Sequence, residues 1–277
     1  MPARRVRAGG VSLAVEERGR GGRPVLLVHG FTGAKEDFEP LFEPLAAAGW
    51  HAAALDLRGH GESDKPEGEA AYDLRSFVAD TRATADALGW DRFTVVGHSM
   101  GGAVAQRLAL DHPGRVKGLV LMSTFHGPLA VDPGLVALGV AVVRQGGMAA
   151  LFAAQEAHRR NDAAAVAARE RLEAARPGHR ARAEARLVAC SPDMWTAMAP
   201  RFPAWDDTLA EVTTLDLPAL VVVGGEDRTM LAHCQRLAAA IPGARLEVLE
   251  GVGHSPQLEA ADRCWSALSR FLGGLTV

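Results

Sequence analysis

Cysteine is scarce in this chain, and the three present, Cys190, Cys234 and Cys264, are odd in number and far apart. That excludes a disulfide framework and the paired spacing of a zinc site, and it predicts small buried thiols in a reducing compartment. Excess charge is lacking too. A formal net charge of -3 at pH 7 gives no electrostatic footprint for nucleic acid. The first residues, Met1-Pro2-Ala3-Arg4-Arg5, are basic but run into Gly9-Gly10 and polar positions, which leaves no apolar stretch suited to a signal peptide. No segment reads as both long enough and free enough of charge to span a bilayer. The expectation is a soluble, cytoplasmic protein with no membrane partner. Internal repeats are absent as well. Apolar content, by contrast, is plentiful: 48% of the 277 residues are hydrophobic, enough for a substantial core in one large domain or two small ones.

The apolar residues come in short runs. Val11 to Val15 follows the Gly9-Gly10 turn as a hairpin arm, and Val25 to Val28, Ala52 to Leu55, Phe93 to Val96, Val116 to Met122, Leu220 to Val223 and Leu246 to Leu249 read as strands. Most lack polar alternation, the pattern of strands buried on both faces. Between them lie helical stripes, Leu74, Phe77, Val78, Thr81, Ala85 and Leu88 in one, Ala261, Cys264, Trp265, Leu268 and Leu272 in another. The alternation predicts an α/β fold with a mostly parallel sheet covered on both sides. It stops after Met122. From about Thr124 to Trp205 the chain is helical in composition, rich in Ala and Arg, and broken at Gly146-Gly147, Pro177-Gly178, Pro192, Pro200 and Pro203. A stretch this long is not a plain loop. We therefore divide the chain into a core of residues 1–123 and 206–277 and a helical cap of residues 124–205 lying over the mouth of the sheet. Between Arg144 and Arg186 nine Arg face five acidic residues, which fits either attraction of an anionic substrate or a solvated helix face.

The peptide Val96-Gly97-His98-Ser99-Met100-Gly101-Gly102 places one serine at a strand-to-helix junction. So abrupt a turn crowds Ser99, and Gly97 and Gly101 supply the missing bulk two positions either side. Ser99 is the candidate nucleophile, with the Met100 amide facing a developing oxyanion. The competing reading is a Gly-rich turn whose serine caps a helix. A phosphate loop is excluded, since no Lys follows the glycines. A serine hydroxyl needs a base, and the base an orienting carboxylate. His254, in Gly251-Val252-Gly253-His254-Ser255-Pro256 after the last strand, is the candidate base among ten histidines. Asp227, in Gly224-Gly225-Glu226-Asp227-Arg228 after the preceding strand, is the candidate acid, with Glu226 its competitor and a turn or cap its bland alternative. The order Ser99, Asp227, His254 matches one of the three serine-triad orders. The loop Val28-His29-Gly30-Phe31-Thr32-Gly33 offers the Phe31 amide as the second oxyanion donor. His29 is read there as a structural hydrogen-bonding residue, and His126 as a core or surface residue before a substrate ligand.

Through His29-Gly30, Asp56-Leu57-Arg58-Gly59-His60-Gly61-Glu62-Ser63, the Ser99 elbow, Asp227 and Gly253-His254, the chain resembles the α/β-hydrolase fold family over nearly its whole length except the cap. The resemblance implies that Asp56 to Ser63 is architectural and that no metal or organic cofactor takes part. Epoxide hydrolases and haloalkane dehalogenases of the family carry an aspartate where this chain has Ser99, so an alkyl-enzyme ester is unavailable. Hydroxynitrile lyases and cofactor-free haloperoxidases keep the serine triad and stay open. Gln257 departs from the His or Phe often found at its position. The expected activity is hydrolysis of a carboxylic ester or related acyl compound of a small-molecule substrate. The alternatives are an enol-lactonase, a carbon-carbon bond hydrolase, a thioesterase, or a ligand receptor on the same fold. Oligomeric state is not legible.

Overall fold

The computed structural model describes residues 4–160 and 163–275. Eight strands form one sheet: β1 (Arg4–Ala8), β2 (Val11–Arg18), β3 (Arg23–Val28), β4 (Trp50–Leu55), β5 (Phe93–His98), β6 (Val116–Met122), β7 (Ala219–Gly224) and β8 (Arg245–Leu249). Their spatial order is β1-β2-β4-β3-β5-β6-β7-β8. The first two pairings are antiparallel and all others parallel. β3 and β5 therefore lie side by side at the centre, and the loops after them meet at one edge.

Strand periodicity splits the core in two. Leu26, Val28, Val95 and Leu121 point into one buried layer, and Val25, Leu27, Val96 and Val120 into the other. The first layer is covered by α2 (Leu74–Ala87), α3 (Met100–Asp111) and α8 (Leu231–Ala240) through Phe77, Val104, Leu108 and Leu237. The second is covered by α1 (Glu39–Ala47) and α10 (Ala261–Gly273) through Leu41, Leu45, Leu268 and Phe271. Asp73 caps α2, its side chain accepting from the Ser76 amide at 2.7 Å. The sheet is thus doubly covered, and the strands with two apolar faces are those in the middle.

Between β6 and β7 run α4 (Pro133–Arg159), α5 (Ala163–Ala175), α6 (His179–Val188) and α7 (Pro192–Met198), and the four-residue α9 (Pro256–Glu259) follows β8. One expectation needs correction here. α4 is 27 residues long with a mean hydropathy of 1.7 over its most apolar window, so by length and composition it matches a bilayer span. Arg144 and the Gly146-Gly147 pair hide this run in the sequence. Gly147 sits at φ +68°, ψ −166°, outside helical geometry, and splits α4 into two pieces. Each piece is shorter than the roughly 20 residues a span requires.

The basic composition of the inserted helices also finds its explanation. Seven of the nine arginines between Arg144 and Arg186 pair with carboxylates. Buried Glu156 gathers Arg159, Arg169 and Arg180 within the insert. Four pairs cross to the core: Arg144–Glu69 (2.9 Å), Arg171–Glu226 (3.1 Å), Arg176–Glu39 (3.1 Å) and Arg186–Asp37 (3.0 Å). These side chains join the insert to the sheet domain.

Candidate active site

β5 ends against α3 with Ser99 between them at φ +53°, ψ −119°. A positive φ at a non-glycine residue is strained and persists only where the surroundings impose it. Here the Ser99 amide donates to the Met122 carbonyl (2.9 Å), and the Ser99 carbonyl accepts from the Gly102 amide (2.9 Å) and the Thr124 hydroxyl (2.6 Å). The glycines are needed for close packing. A Cβ on Gly97 would stand 2.2 Å from the Gly101 carbonyl oxygen, and one on Gly101 would stand 2.2 Å from that of Val28.

The loops after β7 and β8 are joined backbone to backbone. Gly225 N–H donates to Leu249 (2.9 Å) and Glu226 N–H to Val252 (2.9 Å), and a Cβ on Gly224 would lie 2.1 Å from the Gly253 carbonyl oxygen. This pairing brings Asp227 to His254. His254 Nδ1 lies 2.8 Å from Asp227 Oδ2, and His254 Nε2 lies 3.1 Å from Ser99 Oγ. Asp227 and Ser99 are buried, while the His254 side chain is 43% exposed and leaves the site open to solvent on that side. Glu226 turns the other way, outward to Arg171. Between the two neighbouring carboxylates, only Asp227 faces the imidazole.

The amides of Phe31 and Met100 have no protein acceptor among the described residues. Phe31 follows Gly30, where a Cβ would come within 2.9 Å of Ser99 Cβ, so the loop after β3 passes directly over the elbow. The Phe31 ring meets Phe202 at 4.9 Å and Trp195 at 6.1 Å, and Phe202 in turn stacks on Trp205 at 5.6 Å and meets Phe125 at 5.8 Å. The insert thus contributes an aromatic wall beside the oxyanion loop.

Three further histidines surround the site as neutral, buried groups. His29 is a structural link: its Nδ1 donates to the Gly30 carbonyl (2.8 Å) and its Nε2 accepts from the Leu57 amide (3.0 Å). Burial lowers its pKa to about 4, and burial lowers those of His60 and His98 to about 3. Asp56 is fully buried and accepts from the amides of Lys35 (2.7 Å) and Glu62 (2.9 Å), which makes its loop a brace. His126 pairs through Nδ1 with Asp207 (2.9 Å), not with Ser99. Gln257 is fully buried, in α9. The three thiols are buried, and burial pushes each to about 12. Among the described residues, no three His, Cys, Asp or Glu side chains are grouped to hold a metal ion.

Sequence reasoning missed three residues at this site: Thr124, which holds the Ser99 carbonyl, and His98 and Glu259, which hold the His254 loop. His98 lies inside the elbow peptide, but nothing in the spacing says what its ring meets. The arrangement itself is a hydroxyl, an imidazole and a carboxylate in hydrogen-bonded sequence, with two free amides nearby. Such a set can move a proton from Oγ and hold negative charge on a carbonyl oxygen.

A family model described as the alpha/beta hydrolase fold matches residues 23–261. Epoxide hydrolase A of Mycobacterium tuberculosis is 29% identical over 320 residues, spanning 98% of this chain and 97% of its own. The structure of Est816, described as an N-acyl homoserine lactone degrading enzyme, superposes with a TM-score of 0.74 at 30% identity over 97% of this chain and all of the other. The enol-lactonase of Burkholderia xenovorans LB400 shares the fold, with a TM-score of 0.81 at 24% identity over 98% of this chain and 100% of that one.

Proposed function

The chain belongs to the α/β-hydrolase fold family and is a hydrolase, and on that premise we propose that it cleaves carboxylic esters or related acyl compounds of a small-molecule substrate through an acyl-enzyme on Ser99. The observation that carries this reading is the continuous relay Ser99 Oγ, His254, Asp227 at 3.1 and 2.8 Å. His254 Nε2 takes the proton as Oγ attacks the acyl carbon, and the Oγ–C bond forms while the carbonyl π pair moves to oxygen. Asp227 holds the Nδ1–H tautomer and stabilises the imidazolium. The Phe31 and Met100 amides hold the oxyanion, each donor contributing roughly 3 to 4 kcal/mol. Collapse expels the leaving group, which His254 protonates. Water then enters by the same base, and its attack releases the acid and Ser99.

The inserted helices serve as a lid in this reading, and they favour an apolar acyl group. Phe31, Phe202 and Trp195 line the approach beside the oxyanion loop. Most of the insert's arginines are engaged by carboxylates, which weakens the case for an anionic substrate. A lactone is a second substrate class for the same steps, favoured by the 30% identity with Est816 over nearly the whole chain. Epoxide opening through a carboxylate nucleophile is disfavoured, because the elbow residue is Ser99.

Turnover of p-nitrophenyl butyrate and of an N-acyl homoserine lactone by the wild type and Ser99→Ala tests the reading. Loss of both activities with a folded variant is expected. Retention of wild-type turnover by Ser99→Ala refutes the mechanism, and a wild type that forms no fluorophosphonate adduct and turns over neither substrate favours a ligand receptor.

A further inference from the structure

A catalytic base carried on a loop keeps its geometry only if the loop backbone is tied down. Three side-chain hydrogen bonds hold residues 253–255 of this one. The Gly253 amide donates to Glu259 Oε2 (2.8 Å) and the Ser255 amide to Glu259 Oε1 (2.9 Å), so one carboxylate brackets His254 on both sides. Between them, the His254 carbonyl accepts from His98 Nε2 (2.8 Å). His98 immediately precedes Ser99, and its ring lies 5.0 Å from that of His254. The strand that carries the nucleophile therefore also holds the backbone of the base.

We propose that His98 and Glu259 are positioning residues that clamp the His254 loop and set its imidazole against Ser99, an inference that rests on the reading of Ser99 and His254 as nucleophile and base. The chemistry of each group suits the task. Glu259 has two acceptor oxygens for two parallel amides, which a carboxylate alone among side chains supplies. His98 donates from Nε2, so its Nδ1 carries the lone pair. That nitrogen is buried beside Gly30, where a Cβ would stand 3.3 Å away, and has no partner among the described residues. Burial holds His98 neutral, with a pKa near 3, which keeps a second positive charge away from the imidazolium that His254 becomes during acyl transfer. The clamp acts at the backbone of the base. Its loss therefore lowers kcat and spares KM.

The test uses the full chain with p-nitrophenyl butyrate, following kcat and KM, the rate of fluorophosphonate labelling, and the melting temperature. His98→Leu removes the donor and Glu259→Ala removes both acceptors. Each is expected to lower kcat roughly 10- to 100-fold, the scale of a reacting group displaced by about 1 Å, with KM within about twofold. His98→Gln restores a donor and is expected to recover most of the loss. Glu259→Gln, nearly isosteric at a half-buried position, keeps one acceptor and is expected to fall between wild type and Glu259→Ala. Folded His98→Leu and Glu259→Ala with wild-type kcat overturn the clamp. So does a loss of kcat that His98→Gln does not relieve. If the deletions do not fold, Glu259→Gln decides, and wild-type kcat there overturns the proposal. Ser99→Ala run in parallel separates the two readings. Its retention of turnover refutes the triad, whereas its inactivity beside fully active clamp variants refutes only the clamp.

Discussion

The three buried neutral histidines make the fold acid-sensitive in a way that can be calculated. His29, His60 and His98 are 0%, 0% and 5% exposed, and burial depresses their pKa values to about 4, 3 and 3. In the unfolded chain each returns to about 6.5. Between these limits the unfolded state binds more protons, so stability is fully present above pH 6.5 and is lost as the pH falls toward the folded values. Each imidazole removes about 1.4 kcal/mol between pH 7.5 and 5.5, and the three together about 4 kcal/mol, a large part of the 5 to 15 kcal/mol typical of a domain. Burial raises the carboxyls of Asp37 and Asp80, which act with the opposite sign between their unfolded and folded values. A single substitution isolates one imidazole. His60 donates from Nδ1 to the Arg58 carbonyl (2.9 Å), and its Nε2 has no partner among the described residues, so Asn, whose amide nitrogen stands where Nδ1 does, can keep the one bond and removes the titration. Urea unfolding at pH 7.5 and 5.5 is expected to show a smaller pH-dependent loss for His60→Asn than for wild type, by about 1.4 kcal/mol. Equal losses in the two proteins, at unchanged m-values, would refute the reasoning.

Two other predictions concern the elbow and the acid. Gly101→Ala places a methyl 2.2 Å from the Val28 carbonyl oxygen and 2.5 Å from that of His29, both backbone atoms, so the elbow must shift. A stability loss of at least about 1 to 3 kcal/mol by thermal or urea unfolding is expected, with esterase activity down about 100-fold or more. Asp227→Asn is expected to lower kcat by about 10⁴ through the wrong imidazole tautomer, whereas Glu226→Gln, at an exposed residue paired with Arg171, stays within about twofold of wild type. Steady-state kinetics on one chromogenic ester compare both, and equal effects would show that the acid has been misassigned.

Legibility followed the range of the interaction. The strands Val25 to Val28 and Phe93 to Val96 were readable because a strand buried on both faces needs apolar residues at every position, and that requirement is local. The elbow was readable for the same reason: glycines two residues from Ser99 relieve a crowding that the turn itself creates. β1 had no such signal. Arg4-Arg5-Val6-Arg7-Ala8 buries only Val6 and Ala8, and it becomes a strand because β2 pairs with it. α4 concealed its length, since Arg144 and the glycines interrupt the apolar run that a reader counts.

The sequence by itself determined which candidate groups this chain carries, because the order Ser99, Asp227, His254 and the glycines about the elbow are properties of residue type and spacing. Only the tertiary structure decided how those groups meet. The choice of Asp227 over Glu226 depended on the direction of two adjacent side chains at a loop that β8 pins in place. Seven of the insert's arginines proved to be joints to the core or to Glu156. The hydrogen bond from His98 to the His254 carbonyl spans 156 residues of sequence. Such contacts leave no periodicity and no composition bias, because they are set by where parallel strands end and by which loops the sheet brings side by side.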